Sequence, residues 1–132
     1  MRYIRLEATY TDGKEEVHGF YWVSMYLYDN DRLYTKGGPY DDHDRVWEIF
    51  HWFGQNLKVP TKFDRSSNKY KQETKGLSWF KETSRDHIDH MMELASIIKR
   101  YGVIVEIKKT TRPGYIIFED DYQVVAVPFK NH

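Results

Sequence analysis

His87 and His90 stand three residues apart in "SRDHIDHM", with Asp86 and Asp89 beside them. On a helix that spacing brings two imidazoles close enough on one side to share a metal. A zinc ion would still need a third ligand from elsewhere, and the spacing is not that of the HExxH metalloprotease helix. The competing reading puts His87 at the edge of an apolar arc and His90 in solvent, and it is preferred. "DDHD" (Asp41, Asp42, His43, Asp44) has the carboxylates for a hard cation. It also precedes a helical pattern, where acidic residues are favoured anyway, and no glycine-centred calcium loop surrounds it, so capping outweighs metal binding. Lys81, His87 and Arg112 have the chemistry to stabilise an anion or move a proton if they meet at one rim of a sheet. The chain has no cysteine, no GxSxG elbow, no P-loop and no dinucleotide fingerprint, so no catalytic residue is assigned and no cofactor is implied.

The richest local chemistry lies in residues 58 to 85. Lys58, Lys62, Arg65, Lys69, Lys71, Lys75, Lys81 and Arg85 face only Asp64, Glu73 and Glu82, with Phe63, Tyr70 and Trp79 interleaved. Cations that neutralise phosphates beside rings that stack on bases are what a single-stranded nucleic-acid site requires. A solvated or protein-binding loop whose positive charge answers the acidic stretch near residues 29 to 44 is the competing reading. Residues 61 to 76 form the one long polar loop, and such loops in compact domains tend to be functional or disordered.

The elements that must position these groups follow from periodicity. "MRYIRLEATY" alternates Ile4, Leu6 and Ala8 against Arg5, Glu7 and Thr9, a half-buried strand, and "TDGKEE" is a turn signal. In "GFYWVSMYLYDNDRLY" the shared face of Phe20, Val23 and Leu27 predicts a short helix. Val46, Ile49, Phe50, Phe53 and Leu57 form the stripe of a second helix, stopped by Pro60. "GLSWF" reads as a short strand or an extended entry. Thr83 with Asp86 resembles a capping box for a third helix whose apolar arc is Ile88, Met91, Met92, Ala95, Ile98 and Tyr101, ended by Gly102.

Three antiparallel strands then follow at roughly 103–110, 115–119 and 122–128. Pro113-Gly114 supplies the first turn in the type II pattern, and Asp120-Asp121 the second through tolerance of the left-handed region. The middle and last strands carry apolar residues at both parities, so they should be covered on both faces. The fold expected is α+β in one domain: an antiparallel sheet of about four strands, the N-terminal strand plus a C-terminal three-stranded meander, packed by about three helices.

The 132 residues are 17% aromatic, with 11 Tyr, 7 Phe and 4 Trp, so rings must fill much of the core. Lys plus Arg (20) balance Asp plus Glu (20), which leaves no long-range pull on nucleic acid or an anionic membrane. No apolar run of membrane-spanning length and no basic-then-apolar leader is present, so a cytoplasmic protein is expected.

The blocks "WFGQNLKVPTKF", "LSWFKETSRDHIDHM" and "RPGYIIFEDDYQVVAVPF" resemble those of a set of small uncharacterised bacterial proteins. The likeness runs over most of residues 19 to 130 and is strongest in the last block. It implies a bacterial or phage origin and a helix after Gly19, and it brings no activity or site residue. Aromatic excess and the lack of a catalytic constellation favour non-catalytic binding of another protein, or self-association, over nucleic acid and over an enzyme using His87 and Lys81. The expected contact surface joins the loop residues Arg65, Lys69, Tyr70 and Lys71 to Trp79, Lys81, Arg112 and Tyr115.

Overall fold

A computed structural model of the chain describes residues 1–59 and 76–129. Its elements are β1 (Tyr3–Asp12), β2 (Glu15–His18), α1 (Phe20–Asp29), α2 (His43–Asn56), β3 (Leu77–Lys81), α3 (Arg85–Lys99), β4 (Ile104–Thr110), β5 (Tyr115–Glu119) and β6 (Gln123–Val127). The class is α+β, with three helices and a six-stranded antiparallel sheet in the order β2-β1-β3-β6-β5, β4 pairing with β1 off that path. The chain divides into two compact units, and β1, α3 and β4 contribute residues to both.

The first unit comprises Met1–Arg5 with the described parts of Leu57–Ile88 and Lys109–His132. Here Tyr3 and Ile4 of β1 pair with Lys81 and Phe80 of β3, and β3 pairs along its length with β6 (Leu77 opposite Ala126, Ser78 opposite Val125, Trp79 opposite Val124). β6 in turn pairs with β5, with a bulge between Ile116 and Phe118. Val124, Val125 and Ala126 are fully buried, so both faces of β6 are covered, as its doubly apolar sequence requires.

Two glycines permit close approaches in this unit. Gly114 adopts φ 136°, and the carbonyl of Val127 leaves no room for a Cβ there. At Gly76 a Cβ would stand 2.6 Å from Val125 Cγ1 and 3.3 Å from Ile117 Cδ1. The β5–β6 connection turns without a positive φ, contrary to the expectation for Asp120-Asp121: among the described non-glycine residues only Asp31 has one. Instead Asp120 Oδ1 accepts from the amides of Tyr122 (2.8 Å) and Gln123 (3.0 Å), so the side chain itself closes the turn.

The second unit comprises Leu6–Asn56 and Asp89–Lys108. β1 and β2 form a hairpin around Gly13, with Thr9 opposite His18 and Asp12 opposite Glu15. Its core gathers Ala8, Val23, Leu27, Leu33, Val46, Ile49, Leu94, Ile97, Ile98 and Val103, flanked by Phe20, Tyr28, Phe50, Phe53, Tyr101 and Val105. Each of the larger aliphatic side chains contributes about 1.5–3 kcal/mol on burial. Ser24 is buried with them because its Oγ donates to the Phe20 carbonyl one turn back, at 2.8 Å.

Three expectations are corrected. The strands number six rather than about four: β2 ("EEVH") is three-quarters polar and shows no apolar alternation, and β3 is a full member of the sheet. The C-terminal three-stranded meander does not form, because β4 pairs with β1 while β6 pairs with both β3 and β5. Consecutive strands are neighbours in only about two-thirds of cases, and no periodicity reports which strand lies beside which. β5 is accordingly an edge strand among the described strands, with Tyr115 and Ile116 exposed, rather than an interior one.

Candidate functional site

The expected contact surface is divided by the register of the sheet. Trp79 pairs with Val124 and Glu119 pairs with Val124, so Trp79, Val124 and Glu119 form one row across β3, β6 and β5. Lys81, two residues beyond Trp79, shares that face, and its ammonium reaches Glu119 Oε2 at 2.6 Å. The Lys81 side chain is only 14% exposed, so most of the cation is committed to this pair. The indole N–H of Trp79 is buried without a hydrogen-bond partner among the described residues.

Tyr115 pairs with Val127, three residues from Val124 on β6, and so stands on the opposite face of the sheet. There it meets Phe129 edge to face, with ring centroids 4.7 Å apart, and the Arg112 guanidinium lies 5.2 Å from the same Phe129 ring. Arg112 and Tyr115 are thus brought together by Phe129, while Trp79 and Lys81 are not part of that group. Tyr115 is 61% exposed and Ile116 44% exposed, and the exposed Arg112 has its fork free of any ion pair in this cluster. Phe129 was not among the expected residues; its aromatic character in "VPF" gave a hint of packing, but nothing in its spacing linked it to Arg112. Lys69, Lys71, Tyr70 and Arg65 lie outside the described residues.

The histidines have structural surroundings. His87 is buried, its ring 4.4 Å from that of Tyr122 and 6.0 Å from that of Phe80. Phe80 alternates with Lys81 along β3, so its side chain lies on the face opposite the Lys81–Glu119 pair. Arg112 lies against Phe129, the Lys81 ammonium against Glu119, and the His87 ring against Tyr122 and Phe80. His90 is half-buried and stacked on Trp52, centroids 3.7 Å apart at 10°, which corrects the expectation that it stays in solvent. Among the described residues no three His, Asp or Glu side chains gather closely enough to hold a metal ion. Asp42 of "DDHD" is spent on protein contacts: its carboxylate accepts from Arg100 Nη1 at 2.8 Å and from the Tyr101 hydroxyl.

The second unit carries further exposed rings. Tyr21, Trp22 and Trp47 are exposed; Tyr21 contacts Trp22 and Phe50, and Trp47 stacks on His51. Among the described residues no helix is long and apolar enough to cross a membrane. Comparison with protein-family models, with curated proteins and with solved structures gave no match.

Proposed function

We propose that this chain is a non-catalytic binding protein, a cytoplasmic accessory of bacterial or phage origin whose ligand is another protein. The contact is made by the side chains at the start of β5. The observation that carries this reading is the Arg112–Phe129–Tyr115 cluster: an exposed tyrosine and an exposed arginine both held in place by one aromatic ring. Tyr and Arg are the residue types that anchor protein interfaces, and a side chain already ordered in the free protein loses less entropy on binding. The bulge between Ile116 and Phe118 in the β5–β6 pairing bends β5, and a bent edge is a poor template for an added strand, so recognition here proceeds through side chains.

The test is affinity capture from a lysate of the host with the wild-type chain and with Tyr115→Ala and Arg112→Ala. A specific protein should be retained by the wild type and released by each variant, whose exposed positions leave thermal unfolding unchanged. Each truncation should weaken the purified complex about ten-fold or more, the range of an interface anchor. Identical retention by wild type and both variants would remove this surface as the binding site, and no retained protein under any salt condition would remove the reading.

A further inference from the structure

We infer that β4 is a self-recognition edge, on which a second copy of this chain docks by antiparallel β4–β4 pairing centred on Ile107. Among the described strands β4 pairs with β1 alone, so the backbone N–H and C=O groups of its other edge are claimed by no described strand. Its core-facing row starts at Val105, which packs against the helical core, and continues to Ile107, which is 48% exposed. An apolar residue on the covered face of a sheet is left half open when no further strand lies beside it. On the other face Ile104 is 69% exposed.

The charges say which strand fits. Glu106 and Lys108 lie on one face of β4, 3.5 Å apart. In an antiparallel self-pair centred on Ile107, Glu106 stands directly opposite Lys108 of the second copy, and the two-fold axis repeats the pair. Ile107 then meets its own copy, and all seven residues of β4 overlap. Centring on Glu106 or on Lys108 instead sets like charges opposite each other and shortens the overlap. Parallel self-pairing opposes Glu106 with Glu106 and Lys108 with Lys108. Edge charges that discourage strange strands are therefore complementary to the strand's own copy in one register. β4 has no proline, whereas the other C-terminal edge, β5, has five residues and a bulge.

The test is sedimentation equilibrium of the full chain from micromolar to near-millimolar concentration, with far-UV circular dichroism as the check on folding. Wild type should form a reversible dimer. Glu106→Lys and Lys108→Glu should each weaken it about ten-fold or more, because each turns two attractive cross-strand pairs into two repulsive ones. The double variant E106K/K108E restores opposite charges across the axis and should recover association to within about three-fold of wild type. A wild type that stays monomeric throughout overturns the inference, as do single variants that dimerise like wild type or a double variant that fails to recover. If a single variant loses its fold, amide hydrogen exchange of the wild type decides: protection at residues 104–108 should rise with protein concentration, and equal rates at both ends of the range overturn the inference.

Discussion

Asp42 stands one residue before α2, where its carboxylate could have accepted from the first amides of the helix; Arg100 and Tyr101, at the end of α3, take it instead. Arg100 also lies over the Tyr40 ring at 5.0 Å, so one carboxylate, one guanidinium and two phenols fasten the segment ahead of α2 to the end of α3. Burial, and then the bond to Asp42, push the Tyr101 phenol above its ordinary range. Replacing Asp42 by Asn should cost about 1–2 kcal/mol in urea unfolding, since charge-assisted bonds to two donors are weakened together. A second carboxylate gives a pH signature. Arg45 forks onto Glu93 with two contacts of 2.6 Å, and this holds the Glu93 carboxyl below its ordinary value of 4.5. A depressed folded-state value means that the stabilisation is fully present above pH 4.5 and is lost as pH falls through the lower folded value. Glu93→Gln should therefore destabilise the protein at pH 7 by a few tenths to about 1 kcal/mol, the range for an exposed pair, and by less at pH 3, as read by unfolding titrations at the two pH values.

At the scale of elements, Gly76 shows what a single added carbon would do. Gly76→Ala must push a methyl group against the fully buried Val125 where β3 begins, and should lower stability by about 1–3 kcal/mol. The check is a shift of the denaturation midpoint with the slope unchanged. Helices α2 and α3 could be read from the chain because their stripes repeat at helical spacing, though Met92, expected in the arc of α3, is exposed, and Leu94 and Ile97 take buried places. β1 was equally plain. β2 was not, since "EEVH" at the edge of a hairpin needs backbone pairing more than apolar contacts. The position of β4 is legible from alternation and those of β5 and β6 from apolar runs bounded by turn residues, but their neighbours are not, because strand order is decided by long-range closure that leaves no mark on local spacing. The candidate site was half legible for the same reason. Arg112 and Tyr115 could be named as interface types, yet their convergence depends on Phe129, fourteen residues beyond Tyr115 and brought back by β6.

At the scale of the whole molecule, equal numbers of acidic and basic residues leave little net field, so association with a partner protein should vary weakly with ionic strength. Oligonucleotide titrations at low and at physiological salt put a number on this: a non-binding result, or affinity that does not fall with salt, is expected, whereas a steep fall reversed by neutralising Lys69 and Lys71 would favour nucleic acid as the ligand. The strand order also bears on synthesis. β3 leaves the ribosome more than forty residues ahead of β6, its long lateral neighbour, and β1 offers it only Tyr3 and Ile4 in the meantime. A nascent chain therefore carries "LSWFK" with one side of its backbone unclaimed by any described strand until translation has passed Val127, and a stop before Gln123 should yield a product prone to aggregate through that segment.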